Sequence, residues 1–227
     1  LKGRQQGVST YVCARFYAKA SKRSASNVYI LAHEQGSADN LFEMVERMDK
    51  HNPMAPVKGK DNAKELVFAK LDSRYTVAIA GHKPSGRSRT TTFFHGSEVA
   101  FWNNPKGQMA ASVQSVPDLP GTEIIFETTA NGPTGLFYEM WRKAERGEGE
   151  YIAVFIPWFV QSEYRLPVPD DFVLSTTEED DGFSETDYAE MFNLDNEQMM
   201  WRRAKIEALG LDLFNQEYPA TAEMAFV

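Results

Sequence analysis

Hydrophobic positions along the chain change period several times, and the changes predict helices alternating with strands. Residues 9–20 combine good helix formers with apolar side chains at helical spacing, so a helix is expected straight after a polar opening loop. Val28-Tyr29-Ile30-Leu31-Ala32 is an unbroken apolar run of strand length, as in strands covered on both faces. A second helix is expected over 37–50, with Leu41, Met44, Val45 and Met48 on one side. Residues 65–71 and 74–80 alternate around Asp72-Ser73 as a hairpin. Further strands are expected at 91–98 (continuing into 99–102), 122–129 and 151–156, with helices at 105–116 and 134–146. This alternation predicts an α/β fold with a mainly parallel central sheet flanked by helices.

From Arg165 the pattern changes. Leu166-Pro167-Val168-Pro169 reads as an extended linker, residues 176–187 are acidic and polar, and helices are expected at 185–192, 196–209 and 212–218. The expected organisation is therefore a core over 1–165 and a small helical subdomain over 166–227.

Chemistry enters at the opening loop, Lys2-Gly3-Arg4-Gln5-Gln6-Gly7-Val8-Ser9-Thr10. Set against the phosphate-loop pattern G-x-x-x-x-G-K-[ST], Gly7 is the second glycine and Ser9 the magnesium-facing hydroxyl. Val8 stands where lysine belongs, and Lys2 replaces the first glycine. A lysine at the mouth of such a loop still brings an ammonium to the β/γ-phosphates, and Arg4 is a second candidate cation. Backbone donors of Gly3, Gln5, Gln6, Gly7, Val8, Ser9 and Thr10, with the helix N-terminus, would cradle the anion. ATP with Mg²⁺ is the ligand this pattern implies, although the same segment also reads as an ordinary loop.

Glu98 follows an apolar strand, where phosphate-loop enzymes hold the group that positions or deprotonates the attacking water. The usual Asp before it is Ser97, which brings no charge and is at most a weak Mg²⁺ ligand. His95 reads as a packed or hydrogen-bonded residue. Downstream, Thr128, Thr129, Ala130, Asn131 and Gly132 close a neighbouring strand, where hydroxyl and amide groups could sense the γ-phosphate; Asn-Gly-Pro is equally a plain turn. The loop over 81–89 gathers positive charge, so Arg87 and Arg89 read either as solvated or as arginines reaching a neighbouring subunit's phosphates in a ring.

Composition narrows the choice. The 227 residues fit one large domain or one with an appendage. A net charge of −8 argues against a broad basic coat, so any DNA contact must be local or borrowed from elsewhere. The single cysteine, Cys13, excludes an intrachain disulfide, fits a reducing cytoplasm and reads as a small buried helix residue. With no apolar run of membrane-spanning length and no visible signal peptide, no membrane partner is expected. Because Leu1 opens on the loop itself, the strand that enters such loops is expected upstream, in a longer protein.

With these residues in view, nearly the whole chain resembles the ATPase domain of tailed-phage terminase large subunits. Lys2 to Thr10 resembles that family's variant phosphate loop, Ser97-Glu98-Val99-Ala100-Phe101-Trp102 its Walker B segment, and Glu127-Thr128-Thr129-Ala130-Asn131-Gly132 its coupling motif. Ile156-Pro157-Trp158, Trp201-Arg202-Arg203 and Gln216-Glu217-Tyr218-Pro219-Ala220-Thr221 match its later landmarks. The resemblance implies ATP hydrolysis driving double-stranded DNA into a procapsid, in the host cytoplasm. It also implies a homo-oligomeric ring working with a portal protein and a small terminase subunit. Glu98 would activate water, Ser9 would hold Mg²⁺, Lys2 and Arg4 would neutralise charge, and residues 128–132 would couple hydrolysis to motion. The family's metal-dependent nuclease is expected only after Ala225-Phe226, and its adenine-binding segment before the loop. Two rivals stand beside this reading. One is an inert structural or DNA-holding module with a degenerate loop, against which Glu98 argues. The other is a helicase, which usually keeps the lysine and the Asp-Glu pair that Val8 and Ser97 replace.

Overall fold

A computed structural model describes residues 1–59, 64–81, 90–180 and 182–226. The chain divides into two compact units, Gly7–Thr128 and Leu1–Gln6 together with the residues from Thr129 onward.

The first unit contains α1 (Val8–Ala20), β1 (Asn27–Ala32), α2 (Gln35–His51), β2 (Glu65–Phe68), β3 (Ser73–Ile79), β4 (Phe93–Ser97), α3 (Pro105–Val113) and β5 (Glu123–Glu127). Its five-stranded sheet runs β2-β3-β1-β4-β5, with β2 antiparallel to β3 and the other pairings parallel. The apolar run of β1 lies in the middle, and Val28 to Ala32 are all buried. Phe16 and Tyr17 of α1 and Leu41, Phe42 and Val45 of α2 share one core with Val28, Ile30, Tyr75, Val77 and Phe93. Phe16 stacks on Phe93 at 5.3 Å between ring centroids. Because strand side chains alternate, Tyr29 and Phe94 face the other way, where Phe126 and Trp102 continue a chain of ring contacts.

Two strand expectations are corrected in this unit. The hairpin's first strand ends at Phe68, and a 3-10 turn, Ala69–Leu71, follows with Asp72 in the left-handed region. There the Leu71 carbonyl accepts from the Ala25 N–H at 2.8 Å, and the Ser73 hydroxyl donates to the Arg23 carbonyl at 2.6 Å. These residues hold the connector before β1 instead of extending the ladder. The strand at 91–98 does not continue through Trp102: β4 ends at Ser97, and Val99–Phe101 is a 3-10 turn.

The second unit contains α4 (Leu136–Glu145), α5 (Glu185–Phe192), α6 (Asn196–Leu209), α7 (Leu211–Glu217) and α8 (Ala222–Ala225). Capping boxes start α5 at Ser184 with Asp187 and α6 at Asp195 with Gln198, so these two helix starts are set by local sequence. Trp158, Tyr164, Tyr188, Trp201, Phe214 and Tyr218 share one aromatic core. Trp201 stacks on Trp158 and Tyr164 at 5.1 and 4.3 Å. Arg202, fully buried, lies 4.0 Å over the Tyr188 ring and pairs with Glu179 at 2.6 Å. The helices expected after residue 166 thus share their core with earlier residues. The strand expected at 151–156 reduces to a parallel bridge between Lys2 and Ile156, flanked by Gly3 N–H to Ile156 O at 3.0 Å and Ile156 N–H to Leu1 O at 3.1 Å.

Cys13 lies on α1 with no exposed surface. Burial pushes its thiol up to about 12; a Tyr75 hydrogen bond opposes the rise and the negative charge of Glu127 adds to it. A raised pKa leaves the neutral thiol dominant below that pH, so native protein at pH 8 should react with iodoacetamide on the order of a thousandfold more slowly than an unperturbed cysteine. Mass spectrometry of timed alkylation, native against urea-unfolded, checks this.

Candidate active site

The opening loop is divided between the two units. In the second unit, Lys2 is buried and its backbone is fixed by the Ile156 bridge. Gly3 lies close against Trp158: a Cβ there would meet the Trp158 Cα at 3.4 Å and the Gln6 Nε2 at 3.3 Å. Gln6 donates to the Trp158 carbonyl at 3.1 Å, and the Gln5 carbonyl accepts from Gln161 at 3.2 Å. The Arg4 N–H donates to the Glu217 carbonyl at 2.8 Å, and its carbonyl accepts from the Tyr164 hydroxyl at 2.6 Å. The Arg4 side chain is exposed and pairs with Glu217 at 3.1 Å. An exposed pair of this kind contributes about 0–1 kcal/mol, so the guanidinium is cheaply exchanged to another anion. Gln5 stands at φ 54°, a left-handed backbone uncommon outside glycine.

In the first unit, Gly7 at φ 70° is the N-cap of α1, with no side-chain cap and no acid in the first turn. Val8 and Ser9 are half-buried, and Thr10 is exposed, with its hydroxyl 3.6 Å from the Met44 sulfur. The uncapped first-turn N–H groups and the positive dipole end form a site for an anion. The Ser9 hydroxyl donates to Glu127 Oε1 at 2.8 Å.

The ends of β4 and β5 bring the remaining first-unit residues together. They run parallel with Ser97 opposite Glu127, so the chain leaves both strands at neighbouring points, into Glu98 and Thr128. Glu98 is half-buried, at φ 52° and ψ 50°. A left-handed conformation costs a residue with a Cβ roughly 1–2 kcal/mol, and such strain collects at functional positions. Thr128, fully buried, donates its hydroxyl to Glu98 Oε2 at 3.2 Å. The turn beyond Glu98 is held by Trp102, whose indole N–H donates to the Ser97 carbonyl at 2.9 Å.

Glu127, only 3% exposed, accepts from Ser9 and lies 3.2 Å from His95 Nε2. A carboxylate offers only lone pairs, so Nε2 carries the proton of that contact. Sequence reasoning missed this pairing. Glu127 stood within the coupling-motif resemblance, but only the β4–β5 register shows that it lies beside Ser97.

Thr129 and Ala130 are buried in the second unit, Asn131 is exposed, and Gly132 is left-handed at φ 70°. Arg87 and Arg89 lie outside the described residues.

Comparison with solved structures finds this fold in phage large terminases. The chain matches the large terminase of bacteriophage HK97 with a TM-score of 0.64 at 12% identity, covering 96% of this chain and 44% of that one. It matches the large terminase ATPase domain of Thermus phage P74-26 with a TM-score of 0.63 at 15% identity, covering 100% and 86%. For the large terminase of a thermophilic bacteriophage in complex with ADP the values are 0.59 and 10%, covering 96% and 46%. The chain therefore has the α/β fold of large terminase ATPase domains and spans under half the length of the HK97 chain and of the ADP-bound one. No protein-family model matches the sequence, and comparison with curated proteins finds no match.

Gly96 allows the packing behind Glu98. A Cβ there would meet the Phe126 ring at 2.6 Å and Trp102 at 3.0 Å. Gly96→Ala should therefore destabilise the protein by about 1–3 kcal/mol through overpacking, read as a lower urea midpoint with unchanged slope.

Proposed function

We propose that this chain is the ATP-hydrolysing part of a phage DNA-packaging motor, translocating double-stranded DNA into a procapsid. The observation that carries the reading is Glu98, a carboxylate on a left-handed backbone at the end of a buried parallel strand and hydrogen-bonded by Thr128. A residue that served only to end the strand would need neither the acid nor the strain. The shared fold supports the family, and the ADP bound in one of the terminase relatives supports a nucleotide ligand.

In this reading the uncapped start of α1 binds phosphate oxygens through its N–H groups, while Lys2 and Arg4 supply positive charge. Glu98 accepts a proton from water as the water oxygen attacks the γ-phosphorus, and the bond to the bridging oxygen of ADP breaks. Thr128 fixes the rotamer of Glu98 so that the acceptor oxygen meets the water. Mg²⁺, when bound with the nucleotide, would spread charge over the β- and γ-oxygens, with Ser9 among its ligands. Thr128, Thr129 and Asn131 would couple loss of the γ-phosphate to movement, because Thr128 bonds the acid itself and the chain continues from it through Thr129 and Ala130 to Asn131. The trans-acting arginine would be Arg87 or Arg89.

DNA would be held through its phosphates without sequence preference, by local lysines and arginines, since the chain as a whole carries −8. The working assembly in this proposal is a homo-oligomeric ring on the portal of the procapsid, fed by the small terminase subunit in the host cytoplasm.

Glu98→Gln in the intact protein should leave nucleotide binding in place while DNA-stimulated ATP hydrolysis falls at least about a hundredfold, the scale of a lost general base. Parallel binding and turnover measurements beside wild type check this. A wild type that neither binds nor hydrolyses ATP would instead establish an inert module.

A further inference from the structure

Phosphate-loop enzymes hold their magnesium with the loop's Ser or Thr hydroxyl and a carboxylate at the end of the Walker B strand. Here that strand, β4, ends in Ser97, which carries no charge. Its register partner one strand over is Glu127. Glu127 is also the acceptor of the Ser9 hydroxyl, at 2.8 Å. We propose that Glu127 is the magnesium-shell carboxylate of this site, standing on β5 in place of the acid that Ser97 lacks on β4. The inference rests on the ATPase reading above and deepens it.

The donor chemistry fits the ion. Mg²⁺ takes oxygen ligands, is held by one or two carboxylates, and fills its remaining positions with water and substrate phosphates. With its proton committed to Glu127, the Ser9 oxygen has only lone pairs to offer, the form in which a hydroxyl ligates a cation. Among the described residues no group of three or more His, Cys, Asp or Glu side chains could hold a metal, so the proposed shell draws its remaining oxygens from the nucleotide and water. His95 completes the arrangement: fully buried, it donates through Nε2 to the same Oε1 that Ser9 bonds and fixes the orientation of the carboxylate. Carboxylates that ligate metals are themselves held by hydrogen bonds in this manner.

The two acids then have separate partners and separate work. Glu98 is held by Thr128 and faces the chemistry of water; Glu127 is held by Ser9 and His95 and serves the cation. A buried carboxylate between a hydroxyl and an imidazole could also be only a packing device, and the two roles differ in what they do to metal affinity.

The probe is Mn²⁺, titrated by electron paramagnetic resonance into the intact protein in the presence of ADP, with fluorescent ADP binding in EDTA measured alongside. Glu127→Gln should leave metal-free ADP affinity within about twofold of wild type and weaken Mn²⁺ in the ternary complex at least about tenfold. Adding Ser97→Asp should recover part of that loss, because it returns an acid to the neighbouring register position. Unchanged Mn²⁺ affinity in Glu127→Gln overturns this inference and leaves the ATPase reading standing. Absence of ADP binding by the wild type overturns both. If Glu127→Gln does not fold, Glu127→Asp, which keeps the charge but withdraws the carboxylate by one methylene, is titrated instead: weaker Mn²⁺ binding with metal-free ADP affinity kept supports the assignment, and unchanged Mn²⁺ affinity overturns it.

Discussion

The parallel pairing of β4 with β5 is the constraint on which the placement of Ser97, Glu98, Glu127 and Thr128 depends. One register sets Ser97 beside Glu127, and the next residues, Glu98 and Thr128, meet as acid and hydroxyl. A shift of one residue in that pairing would turn each of these side chains to the opposite face. The register is held from below by side chains that tolerate little change. Phe94 and Phe126 contact one another across the strands, and Trp102 closes over Gly96, where a methyl group would collide with both the Phe126 and Trp102 rings. Packing and chemistry are thus coupled: the aromatic contacts behind the strand ends fix where two carboxylates emerge.

Much of the fold was legible because it is written in local periods. The unbroken run at Val28 to Ala32 marks a strand covered on both faces, and β1 lies between β3 and β4. Helices α1 to α7 were legible for the same reason, whereas the short α8 was not among those expected. Glu98 could be singled out from a short apolar run ending in an acid. What local patterns could not show was strand order, and with it the Ser9–Glu127–His95 cluster, whose members lie far apart in sequence. The bridge at Ile156 was hidden likewise, since its partner Lys2 lies far away in the sequence. Trp158 and Tyr164 of the aromatic core were hidden as well, since they fall in a 3-10 turn and the loop after it, with no periodicity to mark them as buried.

Charge in this chain is arranged locally. A net −8 coexists with an uncapped helix start and with an exposed Arg4 guanidinium paired to Glu217. In the aromatic unit the same economy appears as Arg202, buried whole against Tyr188 with Glu179 as its counter-ion. A buried cation of this kind is costly unless its counter-ion and ring contacts are kept, so the pair is weak evidence of added stability, while loss of Glu179 would leave an uncompensated charge in the core.

The sheet order also bears on how the protein reaches its fold. Among the described strands only β2 and β3 pair across a short turn; the three parallel pairings each join strands separated by a longer connection. Loop-closure entropy must be lost before those contacts form, which puts such a topology toward the slow end of single-domain folding. During that interval the central strand, apolar from Val28 to Ala32, has neither neighbour in place. A chain synthesised in quantity would then depend on chaperones or low temperature to keep that strand from pairing with a second copy of itself.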